Sequence, residues 1–225
     1  MASFDAILFD LDGTLIQNDQ DSETIYTGAF SVAGIDRFGE PSDLWQALDG
    51  PPHPTDPESY LAAGFDRVAT QYERAVDTRA LARGFIETVD HTAVSFRPGA
   101  RAALDTARDH GHVGLVTNGP ERRQSVKLDA LDITDAFDVI VYAGDMPRRK
   151  PHPDPFDRAL GTLDVPPAAS LHVGDSLEFD VGGAHGAGLD AAWCPRERDT
   201  VETGSYSPEF VLSTLHEFAD ILDPR

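Results

Sequence analysis

The 225-residue sequence contains 39 acidic and 18 basic residues and has a formal charge of -21 at neutral pH. This acidity excludes nucleic acid and anionic membranes as expected partners, and no apolar run approaches the ~18 residues that a membrane-spanning helix needs. The length predicts one α/β core with a modest insertion rather than a large multidomain assembly.

The first predicted element is a short buried strand of four apolar residues, Ala6 to Phe9, followed by Asp10 and then by an Asp12-Gly13 turn. Asp10 therefore lies at the carboxyl end of the strand, where open α/β sheets bind ligands. The side chain of Asp12, two residues later, is expected on the same side of the chain as that of Asp10. Two like charges about 4 Å apart repel by roughly 4 kcal/mol near a protein surface, so the pair needs a cation or a shared proton. The competing interpretation is an ordinary turn, because Asp-Gly is a common turn dipeptide.

Residues 16–95 are predicted to form an all-helical insertion, because no strand-like alternation occurs between them. Helical patterns begin at Ser22, a candidate N-cap, and recur around Leu44 and over 60–76 and 78–91. The sequence thus predicts two domains. Residues 1–15 and 96–225 form an α/β core, and residues 16–95 form a helical cap.

Beyond residue 96, predicted strands alternate with helices of about ten residues. The predicted strands cover 113–117, 139–142, 171–174 and 191–193. The predicted helices cover 100–111, 121–131, 155–163, 178–188 and 213–221. Such alternation implies βαβ crossovers, and the sequence therefore predicts a doubly wound, Rossmann-like parallel sheet.

Polar residues that could bind an oxyanion or a cation follow two of these core strands. Thr117 and Asn118 end one strand just before a helix, whose free N–H groups attract oxyanions, although Thr-Asn-Gly is also a common turn. Asp175 ends a later strand, and Asp180 follows it. Carboxylates without imidazole or thiolate groups at matching positions favour Mg²⁺ over a softer metal.

The lysines are also informative, because Lys127 and Lys150 are the only two in the sequence. Lys150 precedes a Pro-His-Pro turn and the start of a helix. In a chain with so few lysines, we interpret it as a required compact charge rather than a solvated surface group. Lys127 matches no motif, and we expect it to accept arginine with little change.

Four segments, FDLDGTL, LVTNG, RKPHP and GDSLEFD, resemble in this order the four motifs of the haloacid dehalogenase (HAD) superfamily. The resemblance covers roughly residues 3–15 and 96–222, and the position of the helical insertion matches the superfamily's first type of cap. It implies a Mg²⁺-dependent phosphatase for a small phosphorylated metabolite. In such an enzyme Asp10 would form an aspartyl-phosphate, and Asp12 would protonate the leaving oxygen and then activate water.

The same resemblance implies roles for the other motif residues. Thr117, Asn118 and Lys150 would contact the transferring phosphoryl group. The ion would bind to Asp10, Asp175 and the main-chain carbonyl of Asp12. Asp180 would belong to a supporting shell, and the cap would close over the site and select the substrate.

Several other functions compete with this one. A sugar phosphomutase of the same superfamily uses the same residues, so it stays open. A haloacid dehalogenase needs neither a general acid nor Mg²⁺, so Asp12 and Asp175 argue against it. A receiver-type switch has no helical insertion, and a binding protein that had lost catalysis would be expected to lack a motif residue. We therefore expect an enzyme.

The remaining expectations concern the setting of the protein. The single Cys194 excludes an internal disulfide and fits a reducing cytoplasm. The acidic, lysine-poor composition resembles that of proteins from salt-loving archaea, in which dense counterions screen the self-repulsion. The net negative charge of the protein favours a monomer, because acidic surfaces repel one another.

Overall fold

A computed structural model describes residues 4–49, 56–196 and 203–222. It divides into two compact units: one comprises the described parts of Met1–Asn18 and Val94–Arg225, and the other comprises those of Asp19–Ala93. Within the described ranges, no helix combines the length and the apolar character needed to cross a bilayer.

The secondary structure alternates through most of the first unit and is helical in the second. The strands are β1 (Ala6–Phe9), β2 (Ile16–Asn18), β3 (Val94–Phe96), β4 (His112–Thr117), β5 (Val139–Tyr142), β6 (Ser170–Gly174), β7 (Asp190–Trp193) and β8 (Phe210–Val211). The α-helices are α1 (Ser22–Ala33), α2 (Pro41–Ala47), α3 (Pro57–Gln71), α4 (Thr78–Thr88), α5 (Ala100–His110), α6 (Glu121–Ala130), α7 (Asp154–Leu163), α8 (Gly182–Ala187) and α9 (Phe218–Leu222).

The first unit is built on a six-stranded sheet in the order β5-β4-β1-β6-β7-β8. All neighbouring strands in it are parallel, which confirms the predicted Rossmann-like sheet. The chain leaves β1 toward β4 and later returns to β6 on the other side of β1. The carboxyl ends of β1 and β6 therefore flank the point where the strand order reverses, which is where such sheets bind ligands.

Helices cover both faces of this sheet, and β1 is apolar throughout because its two faces are both buried. Phe9 packs in the same apolar cluster as residues of α5, α6 and α9. Leu8 points to the opposite face and packs in the cluster that includes residues of α7 and α8. Both side chains are 0% exposed.

The second unit consists of α1 to α4 packed around aromatic rings. The ring centroids of Tyr26 and Phe30 are 5.0 Å apart, and Phe65 lies 6.1 Å from Phe30 and 6.3 Å from Phe85. The Tyr26 hydroxyl donates to the carbonyl of Phe38 at 3.0 Å. Helix packing by large apolar residues thus accounts for the periodicity of this part of the sequence.

Some element predictions were wrong in detail. β2 and β3 pair antiparallel, although residues 16–95 were predicted to be helical, and β8 was not predicted. Strands of two or three residues are too short to show a period of two. Asp21, not Ser22, occupies the N-cap position of α1, and the segment predicted as a helix from 178 begins with a π-helical turn, Leu177–Val181. The prolines at 51, 52 and 54 lie outside the described residues.

Candidate active site

All seven residues that the sequence predicts for the site line one small pocket of about 150 Å³ in the α/β unit. Asp10 follows β1 and Asp175 follows β6, and the Asp10 N–H donates to the Val173 carbonyl at 2.9 Å. The parallel register of these two strands therefore places the two carboxylates side by side at the edge where the strand order reverses.

Lys150 is the centre of the hydrogen-bond network in this pocket. Its Nζ donates to Asp10 Oδ1 at 2.8 Å, to Asp180 Oδ1 at 2.7 Å and to the Val116 carbonyl at 2.7 Å. An ammonium has three protons, so every donor is used. Burial would lower the pKa of Lys150, but the carboxylates of Asp10 and Asp180 outweigh it and raise that pKa above its usual value. The lysine is 1% exposed and stays charged.

Three carboxylates form a cluster around this ammonium. Oxygen atoms of Asp10, Asp175 and Asp180 all lie within 4.8 Å of one another. Burial raises the pKa of Asp10 to about 8, and Lys150 offsets only part of the effect. Burial also raises the pKa of Asp175, and the neighbouring Arg196 opposes it. Carboxylates this close destabilise one another's charged forms, and a hard divalent cation bound to oxygen would relieve that repulsion.

Asp180 is held by hydrogen bonds on both oxygens. Oδ2 accepts from the Ser176 N–H at 2.9 Å, and Oδ1 is 3.0 Å from His172 Nε2. Burial lowers the pKa of His172, so the neutral imidazole donates to Asp180. A Cβ on Gly174 would lie 2.2 Å from Asp180 Cγ, so this position requires glycine. Asp180 thus orients Lys150 in addition to belonging to the carboxylate cluster.

Asp12 behaves differently from Asp10. Its side chain is 49% exposed and is not part of the carboxylate cluster. Oδ1 accepts from Lys127 Nζ at 2.7 Å, and Oδ2 accepts from Gln124 Nε2 at 2.7 Å. The two aspartates therefore each have a lysine ammonium of their own as the neighbouring cation.

The residues after β4 also have contacts that the sequence did not predict. The Thr117 hydroxyl, which is almost fully buried, accepts from the Gly119 N–H and from Gln124 Nε2. The Asn118 side chain donates to the Lys150 carbonyl at 3.0 Å and accepts from the Lys150 N–H at 2.9 Å. Both ends of the Asn118 amide therefore hold the main chain of Lys150.

Residues at or beside the site that sequence reasoning missed include Gln124, Lys127, His172 and Arg196. Arg196 forms an ion pair with the Asp175 carboxylate. It lies beyond the last motif, and nothing in its local sequence indicates the site. Lys127 was detectable in principle, because it is one of only two lysines and lies three residues after Gln124 on one helix, so that both share a face.

Two comparisons with known sequences bear on this site. The model of the haloacid dehalogenase-like hydrolase family matches residues 4–188. The chain is 32% identical over 126 residues to the pyrimidine 5'-nucleotidase YjjG of Escherichia coli, and this alignment covers 56% of each protein. It is 26% identical over 231 residues to the glyceraldehyde 3-phosphate phosphatase of Pyrococcus furiosus, with 99% of this chain and 95% of that protein covered. The chain thus spans about half the length of the first relative and nearly all of the second.

Solved structures share the fold over nearly the whole chain. The HAD-hydrolase YfnB of Bacillus subtilis, in a magnesium-bound form, gives a TM-score of 0.74 at 20% identity, with 98% of this chain and 99% of that one covered. A Thermotoga maritima protein described as a "putative beta-phosphoglucomutase" gives a TM-score of 0.74 at 23% identity, with coverages of 97% and 98%. At these identities the likeness shows the fold alone.

Proposed function

The chain belongs to the haloacid dehalogenase-like hydrolase family, and we propose that it is a Mg²⁺-dependent phosphatase that acts on a small phosphorylated metabolite through an aspartyl-phosphate on Asp10. The two sequence relatives are named as a nucleotidase and a phosphatase, and they support this reaction class. The observation that carries the proposal is the buried Lys150, which donates to Asp10 and Asp180 within a cluster of three carboxylates.

Asp10 is the nucleophile in this proposal. Its Oδ1 is held by Lys150, so Oδ2 is the oxygen that attacks phosphorus. The attack forms the Asp10 O–P bond while the bond from phosphorus to the leaving oxygen breaks, and that oxygen takes the electron pair. A phosphomonoester and a carboxylate are both anions, so the step depends mainly on neutralising and aligning charge. The Lys150 ammonium neutralises and aligns the charge of the Asp10 nucleophile.

The donor set fits Mg²⁺, which prefers carboxylate and carbonyl oxygens. Asp10, Asp175 and the main-chain carbonyl of Asp12 would hold the ion, and Asp180 would support it through the contacts described above. When bound, the ion would offset the negative charge of the phosphoryl oxygens. The magnesium-bound form of YfnB, which has the same fold, supports this choice.

Asp12 supplies the proton transfer. Its carboxyl group would protonate the leaving oxygen, and its carboxylate would then take a proton from the water that hydrolyses the aspartyl-phosphate. Asp12 suits this work because it lies outside the carboxylate cluster and is half-exposed. A proton can therefore reach it from solvent without crossing the buried network.

Phosphoryl binding falls to Thr117, Asn118 and Lys150, all of which line the pocket, and Lys150 contributes its positive charge because its three protons are already donated to other groups. Since the Asn118 side chain is engaged by the Lys150 main chain, we assign the phosphoryl contact to its main-chain N–H. The pocket of about 150 Å³ is smaller than the roughly 300–1,000 Å³ of a typical metabolite site. It suits a phosphoryl group and an ion rather than a whole substrate.

A sugar phosphomutase is the second candidate, because it uses the same residues and differs in where the phosphoryl group goes next. The T. maritima protein described as a "putative beta-phosphoglucomutase" has the same fold, so the fold gives no reason to prefer one activity over the other. A haloacid dehalogenase fits less well, because a halide leaves unprotonated and such an enzyme has no use for Asp12.

The test is hydrolysis of p-nitrophenyl phosphate and of a panel of phosphorylated metabolites at high salt. Activity should disappear after exhaustive chelation and return with Mg²⁺. Ca²⁺ is the matched control and should restore less, because it prefers longer bonds and more ligands than Mg²⁺. Undiminished turnover without metal would reject the ion. Transfer between sugar phosphates without release of phosphate would favour the mutase.

We also propose a setting for this activity. A free, buried Cys194 suits a reducing cytoplasm. The acidic, lysine-poor composition suits a halophilic archaeal source and a monomer, because dense acidic surfaces repel one another. Sedimentation at high and low salt measures the oligomeric state directly.

A further inference from the structure

Each of the two lysines in the chain forms an ion pair with an aspartate of the first motif. Lys150 Nζ lies 2.8 Å from Asp10 Oδ1, and Lys127 Nζ lies 2.7 Å from Asp12 Oδ1. The first pair is buried inside the pocket. In the Lys127–Asp12 pair, the side chain of Lys127 is 15% exposed and that of Asp12 is 49% exposed. The aspartate is therefore half-exposed to solvent, whereas the lysine is largely buried.

The Lys127 contact is one half of a two-sided support for Asp12. Gln124 and Lys127 lie three residues apart on α6 and therefore share a face of that helix. Gln124 Nε2 donates to Asp12 Oδ2, and Lys127 donates to Oδ1. Each carboxylate oxygen thus has its own donor from one rigid element, which fixes the plane of the carboxylate as well as its position.

Gln124 also connects Asp12 to the second motif. The same Nε2 that reaches Asp12 donates to the Thr117 hydroxyl at 2.7 Å, and the side chain is 1% exposed. A Cβ on Gly119 would lie 2.2 Å from Nε2, so glycine is required there for Gln124 to occupy this place. Gln124 Oε1 has no hydrogen-bond partner among the described residues. Both side-chain hydrogen bonds of Gln124 are therefore donated by Nε2, which bridges Asp12 and Thr117.

We propose that Lys127 and Gln124 are positioning residues for Asp12 and hold its carboxyl group at the orientation that proton transfer to the leaving oxygen requires. The inference rests on the proposed function. Neither residue touches the phosphoryl group: Lys127 acts through Asp12, and Gln124 acts through Asp12 and also holds Thr117. Arginine at 127 would keep the charge and a donor for Asp12, so arginine is tolerated there and a neutral residue is not.

The alternative role is purely structural, in which the two contacts only tie α6 to the loop after β1. The two roles predict different results. A structural support, once removed, lowers activity on every substrate alike. A positioning residue for the proton donor matters most when the leaving oxygen needs a proton and matters little when it leaves as a stable anion.

The kinetic test compares Lys127→Met with the wild-type protein on an alkyl phosphate and on p-nitrophenyl phosphate. Turnover of the alkyl ester should fall on the order of 10- to 100-fold, and that of the nitrophenyl ester by less than about threefold. Lys127→Arg should restore most of the loss. Arg122→Met is the matched control, because it removes an exposed positive charge from the same helix and should change neither substrate.

A double-variant cycle shows whether Lys127 acts through Asp12. Adding Lys127→Met to Asp12→Asn should cost little beyond Asp12→Asn alone, because the group that Lys127 positions is already gone. Equal losses on both esters, or losses that multiply in the double variant, would overturn the positioning role.

A spectroscopic readout separates this inference from the proposed function. With only two lysines, the ammonium groups give two NMR signals in a ¹⁵N-lysine-labelled protein. Asp12→Asn should shift the Lys127 signal and Asp10→Asn the Lys150 signal. An inactive wild-type protein that still shows both shifts would reject the phosphatase assignment and, with it, the need for Lys127 to position a proton donor. An active protein whose Lys127 signal ignores Asp12→Asn would reject the inference alone.

Discussion

The two units of the molecule bury different kinds of groups. In the α/β unit, buried polar side chains include Asp10, Lys150, His172, Asp175 and Asp180. Among the described residues of the four-helix unit, no charged side chain is buried, and the core consists of aromatic and aliphatic groups. The charged residues of the four-helix unit pair at its surface instead.

This difference indicates that different interactions dominate in the two units. Exposed ion pairs such as Arg37 with Glu23 and Glu40 contribute little because water screens them, so apolar packing stabilises the four-helix unit. Buried charges cost desolvation and persist only where hydrogen bonds satisfy them. In the α/β unit that cost supports chemistry, so substitutions there should change activity far more than those in the four-helix core.

The largest effect is expected for Asp10→Asn, which should abolish turnover because an amide does not attack phosphorus. The asparagine oxygen can still accept from Lys150, so the fold should survive. Phosphate release and a thermal melt by circular dichroism measure the two properties. Residual turnover near the wild-type rate would show that Asp10 is not the nucleophile. It would also contradict the view that the buried charges of the α/β unit support the chemistry.

Asp12→Asn should have the next largest effect. Turnover of alkyl phosphates should fall by on the order of 10² to 10⁴, the usual range for a general acid or base. The loss should be smaller on p-nitrophenyl phosphate, whose leaving group needs no proton. Identical losses on the two esters, measured side by side, would contradict the proton-transfer role.

Lys150→Arg should reduce turnover roughly 10²-fold or more, the scale of one lost electrostatic contact in a preorganised site. Lys150 donates in three directions, to Asp10, Asp180 and the Val116 carbonyl, and a planar guanidinium does not reproduce that geometry. Arg122→Lys, an exposed exchange in the opposite sense, is the control. A fully active Lys150→Arg protein would mean that charge alone suffices.

The smallest effect is expected in the four-helix unit. Tyr26→Phe removes the hydrogen bond to the Phe38 carbonyl and should lower the free energy of unfolding by about 0.5–1.5 kcal/mol. Turnover should be unchanged, because the ring still packs against Phe30 and Phe65. Urea unfolding and steady-state kinetics on one preparation measure both. A large loss of turnover with intact stability would show that this unit also carries chemistry.

The fold of the α/β unit could be predicted because its signals are local. Strand β1 is apolar on both faces, and the alternation of strands and helices after residue 96 implies parallel pairing. Strand ends then bring Asp10, Thr117 and Asp175 to one edge, since parallel strands end together. The β2–β3 pair and β8 escaped prediction because two or three residues carry no measurable period.

By itself, the sequence determined the family, the order of the motifs and seven of the residues that line the pocket, because each motif is contiguous in the chain. Only the tertiary structure decided the partners of those residues. Lys127 pairs with Asp12 although 115 residues separate them, and Asn118 holds the main chain of Lys150. Such contacts depend on how α6 and the loops pack against the sheet. A sequence pattern describes only a few neighbouring residues, whereas a charged side chain interacts with any group that the fold places within a few ångströms of it.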